Sequence, residues 1–257
     1  MPQAIPKSVE LTNELIDVLA SDQTLSEMSF RRYVKLIERL NDFSSHDFLL
    51  ALANAAYNRV DDALEYFRMA MQKSPNSVVA GNYLAFVNKS CSLFEVAALS
   101  AKFSSSYGFI DFYFTAYQSN LFIGQFEQAS YFAKKFIKVS ERKEAERMQH
   151  VIASAELRLD EFKKLANLTD AQYKLIAETA VHVMESHNQR VSALSFSTVK
   201  EENANAYILL VKCHDPEVIS DMNMDLAFSL ADHEELYDKN FSAWFQGSVG
   251  GKVDACN

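Results

Sequence analysis

Between residues 7 and 74, and again between 125 and 215, the chain contains neither glycine nor proline. Inside a helix glycine costs about 1 kcal/mol and proline about 3 kcal/mol relative to alanine, so uninterrupted stretches of this length predict helices. Apolar residues recur there at helical spacing: Leu11, Leu15, Val18 and Leu19, then Tyr33, Val34, Ile37 and Leu40. Thr169 followed by Gln172 has the spacing of a capping box ahead of a helix over 171–186. With only 6 Gly and 4 Pro in 257 residues, an all-β sandwich, a collagenous rod and a Gly-rich phosphate loop are excluded. The expected fold class is mainly α.

Near Arg190 the periodicity changes. Residues 191–199 alternate roughly with period two, 200–205 are turn-rich, and 206–213 are continuously apolar, which predicts a hairpin. Asp215-Pro216 then supplies an N-cap with proline at the first helical position, opening a helix to about Leu230. Asp232 with Glu235 predicts a last short helix through Trp244 and Phe245, so this end reads as a β-β-α-α unit. Expected boundaries are 1–166 for a helical region, 167–246 for a connecting helix plus the β-β-α-α unit, and 247–257 for a loose tail.

Within the helical region the chain repeats itself. Asn54, Val60 and Ala63 return 34 residues later as Asn88, Phe94 and Ala97, and 32 residues after that as Asn120, Phe126 and Ala129. A period near 34 marks stacked helical hairpins, with a small residue where paired helices cross. Leu50-Ala51, Ala63, Phe67, Ala70 and Pro75 fall at the signature spacings of the tetratricopeptide repeat, and Gly124, Phe126, Ala129 and Ala133 match its turn and second helix. The chain therefore resembles that family over about 44–166, with a degenerate fourth unit from 152 to 166. The signature tryptophan of the first helix is absent, and the second and third copies lack the closing proline. The resemblance implies an antiparallel array of helical hairpins whose concave wall, lined by each first helix, holds a protein or peptide partner. Carried over position by position, that wall comprises Phe48 and Leu52, then Val79, Asn82 and Phe86, then Asp111, Phe114 and Gln118. The competing reading is that these residues are core between repeats. The Asn54, Asn88, Asn120 series reads as buried amides satisfied by backbone, and the aromatic stretch from Tyr107 to Tyr117 as one packed helical face.

Charge is distributed unevenly. Overall there are 25 Lys+Arg against 34 Asp+Glu, but residues 166–257 hold 14 of the acids and only 6 of the bases. Glu217, Asp221 and Asp225 stand four apart, so a helix places them on one face, where neighbours repel by roughly 0.2–0.5 kcal/mol each. Such a row suits a basic partner, or else simply a solvated face. The aromatic stretch has no basic cluster beside it, so direct nucleic-acid binding is not expected. A two-stranded hairpin is marginal alone, so it is expected either to be covered by helices or to pair its edge with a second copy in a homodimer.

No HExxH, CxxC, GxSxG or phosphate-loop pattern occurs, and the six histidines are scattered. Cys213-His214-Asp215 lists a nucleophile, a base and an orienting group, but neighbours on a strand face opposite ways. The expectation is a non-enzymatic interaction protein without cofactor or metal, resembling secretion chaperones or immunity and antitoxin proteins. The alternative is an enzyme or regulator whose site assembles only in three dimensions. Three well-separated cysteines, no 18-residue apolar run and no signal-peptide pattern lead to a cytoplasmic, non-membrane expectation.

Overall fold

The computed structural model describes residues 6–21, 23–199 and 204–247. It divides into two compact units, 1–95 and 96–257. Among the described residues, no helix is long and apolar enough to cross a membrane.

The first unit contains α1 (Lys7–Ala20), α2 (Glu27–Glu38), α3 (Phe43–Ala56), α4 (Val60–Lys73) and α5 (Ser77–Ser90). Helix α3 is buried from Asp47 to Ala56, because α1, α2 and α4 all pack on it. Helix α4 is amphipathic. It buries Ala63, Phe67 and Ala70, places Asp61 and Asp62 in its first turn and Lys73 in its last, and so suits the helix dipole at both ends. Pro75 follows it, and Asn76 caps α5 by accepting hydrogen bonds from the Val78 and Val79 amides at 3.0 Å each. Phe67, fully buried, gathers Tyr83, Phe86 and Phe48 at ring separations of 5.1, 5.7 and 6.3 Å.

Helix α6 (Leu93–Tyr107) opens with a capping box: the Glu95 amide donates to Ser92 Oγ at 3.2 Å, and the Ser92 amide donates to Glu95 Oε2 at 3.1 Å. The second unit continues with α7 (Ile110–Phe122), α8 (Phe126–Val139), α9 (Arg142–Ala166) and α10 (Asp170–Ser186). Helices begin at Phe43, Ser77 and Ile110, and the helix that follows each of them begins at Val60, Leu93 and Phe126. The recurrence expected from the sequence is therefore present in the helices. Ala63, Ala97 and Ala129 are all buried near the start of a second helix, and packed helix pairs surround the first and third of them. Asn54 and Asn120 are buried and donate to the carbonyls of Leu50 and Ala116, at 2.8 and 2.7 Å. Asn88 departs from this pattern and is exposed. In place of a fourth hairpin, α9 is one unbroken 25-residue helix.

The hairpin is β1 (Val191–Val199) and β2 (Ala204–Val211), paired antiparallel. After α11 (Pro216–Ala231) and a short 3-10 turn, residues Ser242–Gly247 form β3, which joins β2 in parallel. The expected last helix is thus a strand, and the end of the chain is β-β-α-β. Ala243 and Phe245 alternate inward with Ser242, Trp244 and Gln246 more exposed, which is the two-residue period of a strand. Of the expected tail, Gly247 ends β3; the remainder lies outside the described residues.

Tyr173 on α10 and Tyr207 on β2 pack with Phe196 and Phe162 against one face of the sheet. Both phenols are fully buried, have no hydrogen-bond partner among the described residues, and are pushed above the ordinary tyrosine pKa by burial. Tyr207→Phe removes a buried polar group without breaking a protein hydrogen bond. It is expected to leave stability unchanged or raise it by about 1 kcal/mol in urea unfolding. A loss above that size would show that the hydroxyl is bonded.

Candidate functional site

The second unit carries an open cleft of about 980 Å³. One wall is the hairpin α7–α8, contributing Phe114, Tyr117, Gln118, Leu121 and Phe136. Another is α9, where Glu144, Arg147, Met148, Val151, Ala155 and Leu159 recur every three or four residues and so form one stripe along the helix. The remaining wall is the sheet: Ser192 to Phe196 of β1, Ile208 and Leu210 of β2, and Gln246 of β3. Strand order β1-β2-β3 makes β2 central.

Each wall has a sequence reason. Gly124, at φ +74°, ends α7 in a left-handed turn and lets α8 fold back. Ala129 and Ala133 are fully buried and join Ala116, Tyr117 and Met148 in one cluster behind the α7–α9 walls. Helix α9 ends at Asn167, at φ +55°, and α10 begins with the anticipated capping box, the Gln172 amide donating to Thr169 Oγ1 at 3.2 Å. The cleft is predominantly apolar with polar groups at its margin, the usual composition of a ligand-binding concavity. Glu144, Arg147, His150 and Arg158 of α9 border the cleft and are exposed.

The positions assigned to the concave wall separate. Phe114, half-exposed on α7, and Gln118 one turn later both line the cleft. Asp111 is exposed in the first turn of α7. Phe48, Leu52, Val79 and Phe86 are buried in the core of the first unit. Of the three equivalent phenylalanines, Phe114 alone is open to solvent; Phe48 and Phe86 are consumed by packing on Phe67. Asn82 donates to the Val78 carbonyl of its own helix at 2.9 Å. Sequence reasoning missed the α9 stripe and the β1 wall. The α9 spacing was legible, but nothing in the sequence says which strand it would meet.

Glu217, Asp221 and Asp225 share the exposed face of α11, opposite buried Met222 and Leu226, as their spacing predicts. That face also exposes Met224 and Phe228. Asp225 lies 2.7 Å from His187 Nε2, so a histidine meets one of the three acids. Cys213 is buried, with its thiol toward the Asp215 carbonyl, while His214 points into solvent. Among the described residues, no group of three or more His, Cys, Asp or Glu is placed to hold a metal ion. No protein-family model, no curated protein and no solved structure matches this chain.

Proposed function

We propose that this chain is a tetratricopeptide-like, non-catalytic binding protein that holds a segment of another polypeptide in the cleft of its second unit. The supporting observation is the position of Phe114 and Gln118: the first helix of the third hairpin turns these residues into a large apolar concavity. In the family that the repeat resembles, that helix faces the partner. Burying one aromatic side chain there supplies about 1.5–3 kcal/mol, and the apolar stripe of α9 offers a second row of contacts. The exposed acidic face of α11 is a separate surface, suited to positive charge on the same partner. Both the secretion-chaperone-like and the immunity-like roles are versions of this reading.

A photo-crosslinking residue at Gln118 is expected to capture a polypeptide in the native cell. The same residue at Tyr131, exposed on α8 and absent from the cleft, is expected to capture none. Phe114→Asp is expected to weaken the captured partner at least tenfold, or about 1.4 kcal/mol, while costing roughly 1 kcal/mol of fold stability. Equal capture from both positions, or unchanged affinity on Phe114→Asp, would overturn the reading.

A further inference from the structure

We propose that Asn223 guards the outer edge of β3: its carboxamide stands where a neighbouring strand would, and keeps that edge from pairing with a second copy of this chain.

The edge needs a guard. Strand order β1-β2-β3 leaves one side of β3 without a strand. Such a side presents a row of backbone N–H and C=O groups that templates another strand, and natural sheets protect it with charge, proline or a covering element. β3 reads Ser-Ala-Trp-Phe-Gln-Gly, with neither a charge nor a proline and with two aromatic residues. Protection has to come from elsewhere in the fold.

Asn223, half-buried on α11, supplies it. The Phe245 amide donates to Asn223 Oδ1 at 2.6 Å, and Asn223 Nδ2 donates to the Phe245 carbonyl at 3.2 Å. A carboxamide offers an acceptor oxygen and an N–H donor, the same pair that a peptide unit offers. In a parallel ladder both backbone groups of one residue point to one side, and those of the next residue to the other. Phe245 therefore presents its groups to the outer edge, and Ala243 and Gly247 do likewise. Gly247 is closed as well: an added Cβ would lie 2.6 Å from the Cys213 carbonyl oxygen and 2.8 Å from Ile219 Cδ1. That leaves at most the Ala243 rung, and the hydrogen bonds of one rung are too weak to hold a strand.

The choice of residue agrees. Asn54, Asn82 and Asn120 each donate to the carbonyl four residues earlier in their own helix, a common local bond of a polar side chain within a helix. Asn223 instead turns both of its groups to a different element. Met222 and Leu226 on either side of it are fully buried, and α11 packs on β3, so the turn that carries Asn223 is anchored.

The test compares the full chain with Asn223→Ala and Asn223→Asp, by hydrogen exchange and by sedimentation over a roughly hundredfold range of concentration. In dilute Asn223→Ala the Phe245 amide is expected to exchange at least tenfold faster than in the parent. As concentration rises, that variant should associate and its β3 amides should regain protection, whereas the parent should not associate through β3. Asn223→Asp separates guarding from packing. A protonated carboxyl accepts and donates as the carboxamide does, whereas a carboxylate only accepts and sets a negative charge against the Phe245 carbonyl. Relative to the parent at each pH, its faster exchange and its association should therefore fade as the pH falls toward about 4 and return as the pH rises. If Asn223→Ala does not fold, this pH course decides alone. Unchanged Phe245 exchange in Asn223→Ala, faster exchange without association, a parent already paired through β3, or an Asn223→Asp defect independent of pH would each overturn the proposal.

Discussion

Gly124→Ala is expected to cost the second unit about 3 kcal/mol. At φ +74° the backbone is left-handed, and an alanine there carries roughly 1 kcal/mol of strain. The larger part is steric. An added Cβ would lie 2.8 Å from the Ala177 Cβ and 3.0 Å from the Lys174 Cα, both on α10. Neither atom is the end of a flexible side chain, and Ala177 is fully buried, so a helix must shift; overpacking of this kind costs about 1–3 kcal/mol. Two other glycines calibrate the result. Gly108, at φ +66°, would place its Cβ near nothing closer than the Tyr113 hydroxyl at 3.7 Å, so Gly108→Ala should show only the conformational cost, about 1 kcal/mol. Gly81, within α5, has open space around it, and Gly81→Ala should stabilise by roughly 0.5–1 kcal/mol. Urea unfolding followed by the single tryptophan, Trp244 in β3, reads Gly124→Ala and Gly108→Ala in the second unit, and hydrogen exchange at the amides of α5 reads Gly81→Ala in the first. If Gly124→Ala cost no more than Gly108→Ala, the α7–α8 turn could not rest against α10, and the wall of the cleft would be misplaced.

Phe67→Ala carries the largest expected effect in the first unit, about 3–5 kcal/mol, the usual range for removing a fully buried phenylalanine. The ring is stacked on Tyr83 within 5° of parallel and packs on rings from both α3 and α5. Its loss leaves a cavity that three rigid aromatic rings cannot collapse to fill. Phe67→Leu should recover most of that, ending within roughly 1.5 kcal/mol of the parent. Hydrogen exchange at the amides of α3 and α4 measures both. A small effect of Phe67→Ala would mean that Phe48 and Phe86 are not held by this ring and are free to serve a partner, contrary to their burial.

The sequence was most informative where a local rule decides the outcome. The Thr169–Gln172 box, the Asp215-Pro216 cap, the hairpin after Arg190 and the acidic face of α11 all follow from contacts within a few residues, and all are present. The expected helix through Trp244 failed because the residues before it, Asp232 to Glu235, carry a helix-start signal that delivers only a 3-10 turn. The alternation of Phe241, Ala243 and Phe245 was the better guide, but β3 is a strand only because β2 offers an edge and α11 covers it. The positions assigned to a concave wall separate for a similar reason. Position within the repeat identifies the first helix of each pair, yet the surroundings decide which of its positions stay open: α3 is enclosed by other helices, whereas α7 borders the cleft.

The three strands share one rung with a mechanical consequence. Val191 opens β1 and Gly247 closes β3, and both are in register with Val211 of β2. The chain therefore joins and leaves the sheet at the same end, on either side of one residue and roughly 10 Å apart. Tension applied through those two points peels the outer strands from Val211 one bond at a time, instead of loading every bond together in shear. Under force the sheet should open like a zipper from that end.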